Sequence, residues 1–126
     1  MAAFSINQWT ATYDMSKAPT SWVQGESQTF PVTVKNTGSA TWPSTGYYAV
    51  DLDLHFASYS GGSAAQQYWL SSLAFSLPSD VAPGASVTVN VTLTPNFYGH
   101  VVLEAEMVKE HQFWFAAAGA IPVSVR

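Results

Sequence analysis

The chain contains no cysteine. That excludes disulfide bridges, thiolate metal sites and cysteine nucleophiles. Charge is scarce as well: 10% of the 126 residues are Asp, Glu, Lys or Arg, against roughly a quarter in an ordinary soluble domain. The basic residues are only Lys17, Lys35, Lys109 and Arg126, scattered along a chain of net charge −4. No basic stripe exists to neutralise phosphates, which argues against nucleic acid, and an anionic membrane would repel such a chain. No apolar run approaches the roughly 20 residues needed to span a bilayer, so no membrane insertion is expected. The start, "MAAFSINQW", lacks the basic opening and long apolar run of a signal peptide. With so few charges, Ser, Thr, Asn, Gln and Ala must cover the surface. That suits an extracellular protein or one on a cell or particle surface.

Catalytic signatures are missing too. The three histidines, His55, His100 and His111, lack zinc spacing, and there is no serine-nucleophile elbow, phosphate loop or dinucleotide fingerprint. We expect no enzyme, no cofactor and no metal; no compact Asp-rich loop suggests calcium. Asn90-Val91-Thr92 matches a glycosylation acceptor but falls mid-strand, where its polar residues read as ordinary outward-facing ones.

What is present is alternation. Phe30, Val32 and Val34 alternate with Thr29, Pro31 and Thr33. Val50, Leu52, Leu54 and Phe56 oppose Ala49, Asp51, Asp53 and His55. Val87, Val89, Val91 and Leu93 oppose threonines and Asn90, and Leu103, Ala105 and Met107 oppose Glu104, Glu106 and Val108. Period two with one apolar face is the pattern of antiparallel sheets. It predicts seven or eight strands: 4–13 (with a short piece near Trp22), 28–36, 47–57, 69–77, 86–94, 100–109 and 113–125, the last broken near Gly119. Pro31 cannot donate to a ladder and predicts an edge or a bulge. Residues 58–67, "SYSGGSAAQQ", read as the longest flexible loop. Strands at this spacing imply one all-β domain over residues 1–126, an immunoglobulin-like two-sheet antiparallel sandwich. Residues 1–19 would be an extra strand or an assembly arm.

An ordered series of motifs supports this. Asn36-Thr37-Gly38 leads to Thr41-Trp42-Pro43; Asp80-Val81-Ala82-Pro83-Gly84 precedes a strand; Met107-Val108 with Glu110, then Trp114-Phe115, close it. The series resembles the immunoglobulin-like β-sandwich modules appended to many bacterial surface and secreted proteins. It is more distantly similar to the four-tryptophan (FW) domain of selective-autophagy cargo receptors. The resemblance covers about residues 20–126 and implies a non-catalytic binding or spacer role. His111 stands where that pattern often has glycine.

Trp42, beside Pro43, is read as a core plug closing one end of the sandwich or as part of a ligand shelf. The turn before it would need Asn36 or Gly38 in a left-handed conformation. Trp114 points away from Phe113 and Phe115 by period two, so one set faces outward unless something covers it. Asp51, Asp53 and His55 on one strand and Glu104 and Glu106 on its expected neighbour form a possible acidic face, read as solvated surface acids. Two functional readings follow. In the first, a binding module holds a protein or glycan partner through exposed aromatics: Tyr47, Tyr48, Tyr68, Trp69 and Trp114. In the second, the chain is a structural or self-assembling subunit (a spacer, fibre or particle-decorating protein) that associates through weakly protected edge strands.

Overall fold

A computed structural model describes residues 8–126. It has eight strands among the described residues: β1 (Ala11–Asp14), β2 (Ser21–Trp22), β3 (Gln28–Asn36), β4 (Val50–Ala57), β5 (Trp69–Ser76), β6 (Ser86–Leu93), β7 (Gly99–Lys109) and β8 (Phe113–Val125). They form a three-stranded sheet, β1-β3-β6, and a five-stranded sheet, β2-β8-β7-β4-β5. The apolar members of each alternating set interdigitate between the sheets. Val32, Val34 and Val91 from one and Leu52, Leu54, Phe56, Leu103 and Met107 from the other are buried. Trp22 packs edge-on against Phe30 and Phe56, with ring centroids 5.9 and 5.2 Å away, and its indole N–H donates to the Pro19 carbonyl at 2.8 Å.

The all-β two-sheet expectation holds, with several differences. The arm expected over residues 1–19 lies partly outside the described residues; within them the first strand is Ala11–Asp14 rather than 4–13. The sandwich is not wholly antiparallel, because β2 runs parallel to β8 through Ser21↔Ser124 and Trp22↔Val125. β3 is a central strand despite Pro31. The proline is tolerated because β1 pairs only with Thr33–Asn36, leaving that flank of Pro31 uncovered.

β8 is not interrupted at Gly119, which pairs with Ala105. The irregularity lies nearer the hairpin, where the partners pass from Glu106↔Ala118 to Val108↔Trp114 and β8 gains extra residues. Tyr13 fills this bulge. Met107 N–H donates to its hydroxyl at 2.9 Å, and the hydroxyl donates to the Ala117 carbonyl at 2.9 Å. One phenol thus satisfies two backbone groups that the ladder has left over. Gly119 makes room for it, since a Cβ there would stand 2.8 Å from Tyr13 Cβ. Burial pushes the Tyr13 hydroxyl's pKa well above its usual value.

The Asn36–Pro43 corner is built by hydrogen bonds rather than by a left-handed residue; neither Asn36 nor Gly38 has positive φ. The Asn36 side-chain amide donates to the carbonyls of Ala40 (2.8 Å) and Val81 (2.9 Å), while its oxygen accepts from Gly38 N–H at 3.0 Å. Asp80 accepts from Ser44 N–H and its hydroxyl. The two turn motifs therefore clasp each other. Trp42 bridges to Val81 and is fully buried, edge-on to Phe115 at 5.6 Å. It is the core plug of the two alternatives.

Candidate functional site

β4 and β7 are neighbours, and their polar sides align as expected: Asp53 lies opposite Glu106 and His55 opposite Glu104. The solvated acidic face does not follow. Asp53, His55, Glu104 and Glu106 are buried, and only Asp51 is half-exposed. Two features cover them. The segment read as a flexible loop folds into a short 3-10 turn, Gly62–Tyr68, that lies over the face as a lid. Trp69 stacks flat on the His55 ring, centroids 3.5 Å apart.

Burying three acids requires partners for them. His55 Nε2 lies 2.7 Å from Glu104 Oε1 and Nδ1 lies 3.0 Å from Asp53 Oδ1. A neutral imidazole carries one N–H, so a second proton is held along one of these two lines. Asp53 also accepts from the Ser72 hydroxyl at 2.8 and 3.0 Å. The lid supplies the remainder: Gly61 N–H donates to Glu104 at 3.2 Å and Gly62 N–H at 3.0 Å. Gly62 sits at φ +56, a left-handed conformation that favours glycine, and a Cβ there would stand in ordinary contact with the Glu106 carboxylate at 3.4 Å. Glu106 is the least satisfied member. Ser63 hydrogen-bonds it, but its Oε1 has no partner among the described residues. Burial foremost, with Glu104's charge adding, pushes Glu106 up to about 7 against the pull of His55 and Ser63.

The aromatics expected at the surface divide. Tyr47, Tyr48 and Tyr68 are exposed, Tyr47 and Tyr48 to 69% and 49%. Trp69 and Trp114 are only half-exposed, because they pack on each other edge-to-face at 5.3 Å above the acidic cluster. Trp114 does point outward, as period two requires. Beyond it the β7–β8 hairpin frames a shallow cavity of about 280 Å³, lined by Lys109, Glu110, His111, Gln112 and Trp114. His111 sits at its lip in a left-handed conformation, φ +64, with its ring 3.8 Å from Tyr47. Tyr47 in turn meets Tyr48 at 5.0 Å. Lys109 Nζ lies 5.2 Å from the Tyr48 ring centre and donates to the Tyr48 carbonyl. Glu110 is pushed up to about 7, chiefly by its hydrogen bond with Asp51.

The outer face of the five-stranded sheet thus carries a band of rings. It runs from the exposed pair Tyr59 and Tyr68, 4.7 Å apart, through Trp69 and Trp114 to His111, Tyr47 and Tyr48. Sequence reasoning missed Tyr59, His111 and the glycine amides of the lid. The Gly-Gly pair at 61–62 was a signal: glycine lets a backbone N–H approach a buried carboxylate closely. Among the described residues no group of three or more histidine, aspartate or glutamate residues is placed to hold a metal ion.

No family model matches the chain, and no curated protein does. Solved structures do. A CARDB domain from Pyrococcus furiosus matches at 16% identity and TM-score 0.55, covering 94% of each chain. AvmM, which catalyses macrocyclisation in alchivemycin A biosynthesis, matches at 12% identity and TM-score 0.60 over 94% of this chain and 89% of its own. The alkylpurine DNA glycosylase AlkC of Pseudomonas fluorescens matches at 13% identity and TM-score 0.55 over 94% of this chain but 31% of its own. At these identities the likeness is one of fold: an all-β, immunoglobulin-like sandwich of the CARDB kind.

Proposed function

We propose that the chain is a non-catalytic immunoglobulin-like module that binds a protein or glycan partner along the aromatic band of its outer face, in an extracellular or cell- or particle-surface setting. The observation that carries this reading is the exposed end of the band. Tyr47 and Tyr48 are exposed, and His111, whose ring lies against Tyr47, lines an open cavity, whereas Trp22, Trp42, Phe56 and Phe115 are all in the core. Exposed rings beside polar side chains suit stacking on sugars and anchoring in protein interfaces alike. The buried Asp53–His55–Glu104 array supports a non-catalytic role, since the lid and Trp69 close the route to it. The more distant likeness to the four-tryptophan domain rests on the clasped corner of Asn36–Pro43 and Asp80–Gly84.

Titration with a glycan and peptide panel, followed by tryptophan fluorescence, tests the reading. A ligand should shift the emission, and a Tyr47→Ala/Tyr48→Ala variant should lose the response while keeping its fold. A response unchanged in that variant refutes the surface assigned here. The second reading, a self-assembling structural subunit, is favoured by one specific observation: the outer edge of β5, with which no strand among the described residues pairs.

A further inference from the structure

β5 is the last strand of the five-stranded sheet. Among the described residues no strand pairs with its outer side, so alternate N–H and C=O groups point away from β4. Free edges are normally guarded by charge, proline, a bulge or short length. β1 has four residues and ends in Asp14, and β2 has two. Trp69–Ser76 is eight residues long and contains no charged residue and no proline. Its one irregularity lies at the Trp69 end. β6, the facing edge of the smaller sheet, is also uncharged, but its exposed positions are Ser86, Thr88, Asn90 and Thr92. β5 instead exposes Leu70 and Leu73, Leu73 to 50%.

The exposure of Leu73 has a cause in the topology. Register with Leu52, Leu54 and Phe56 turns Ser71, Leu73 and Phe75 toward the inside of the sandwich. Three strands cannot cover five, so β5 overhangs. An open cavity of about 190 Å³ remains between β5 and β6, lined by Leu54, Phe56, Leu73 and Leu93 among others. An occupant must supply backbone hydrogen bonds to the edge and apolar side chains to the overhang, with no charge on either.

We propose that β5 pairs antiparallel with β5 of a second copy of this chain, about a two-fold axis at Ala74, joining two five-stranded sheets into one of ten strands. Another β5 meets each requirement. Two uncharged edges do not repel each other, whereas a charged peptide would find no counter-ion there. An isologous pairing must place inward residues opposite inward ones. With Ala74 on the axis, Leu73 of each copy lies opposite Phe75 of the other, and Ser72 lies opposite Ser76. The smallest side chain then occupies the crossing point, and two Leu–Phe pairs cover the overhang. This inference rests on the self-assembly reading and names its surface and partner.

Sedimentation or light scattering at high micromolar concentration should give twice the 13.6 kDa of one chain. Leu70→Lys/Leu73→Lys, at two exposed positions, should return the mass to one chain with an unchanged far-ultraviolet spectrum. The absence of native cysteine permits a second readout independent of that variant. Ala74→Cys should oxidise to a covalent dimer, because residues opposite each other in adjacent strands lie within disulfide reach. Thr12→Cys, exposed on β1, should not. A wild-type mass of one chain throughout ends both the inference and the self-assembly reading. An assembly that survives Leu70→Lys/Leu73→Lys, or that disappears when residues 1–7 are removed while Ala74→Cys fails to cross-link, overturns the β5 assignment alone.

Discussion

Replacing Glu106 by glutamine removes one ionisable proton and keeps nearly the same shape. In the folded protein this carboxyl is pushed from its ordinary 4.5 up to about 7. Between those values the native state holds a proton that the unfolded chain has released. Stability contributed by the neutral form is therefore fully present below about pH 4.5 and is lost as pH rises through about 7. The difference of roughly 2.5 pH units corresponds to about 3 kcal/mol at 1.36 kcal/mol per unit. Glu106 is 1% exposed, but its cover includes one short 3-10 turn, and relaxation of that turn brings the expected value to about 2 kcal/mol. The groups facing Glu106 are Glu104 on its own strand and Asp53 and His55 on β4, with Ser63 from the lid; all are retained in the variant. Glu110, which titrates in the same direction, is also retained and cancels in the comparison. Urea unfolding followed by tryptophan fluorescence, at about pH 5 and about pH 8.5, measures the effect. The wild type should lose about 2 kcal/mol more than Glu106→Gln between the two conditions. An identical slope in the two proteins, or a wild type that gains stability with pH relative to the variant, refutes the reasoning.

Two further changes test the frame around the site. Tyr13→Phe leaves Met107 N–H and the Ala117 carbonyl without their shared partner, at a cost of about 2 kcal/mol. For a chain of this length that corresponds to a fall of roughly 8 °C in Tm, and a fall of under about 2 °C would show that the bulge does not depend on the hydroxyl. His111→Gly relieves a left-handed residue that costs about 1 kcal/mol but gives up the contact with Tyr47, so Tm should rise by about 2 °C. A fall in Tm would mean that the ring contact outweighs the backbone strain.

The strands were legible because alternation carries both the period and the apolar face: Val50 to Phe56 and Leu103 to Met107 are core residues, as read. The pairing of Asp53 and His55 with Glu106 and Glu104 followed from the same register. What alternation cannot reveal is whether a polar face meets water or a lid. Residues 62–68 have no periodicity and hold their place through backbone amides of Gly61 and Gly62 that no side-chain pattern encodes. The stacking of Trp69 on His55 was hidden for the same reason, since Trp69 follows directly on that lid. A break was expected near Gly119 because a glycine in a strand suggests one. Here the glycine clears space for Tyr13, and the irregularity lies where the phenol can reach.

The Tyr13 bridge also bears on the order in which the domain is assembled. Its two hydrogen bonds join residues 94 and 104 positions apart, from nearly opposite ends of the described chain. During synthesis Tyr13 emerges early and must wait until Ala117 has been made before the bulge can close. Contacts of this separation make folding slow, and the uncharged β5 and β6 edges stay open throughout that interval. A nascent chain paused before Ala117 should therefore be more prone to association than the finished domain.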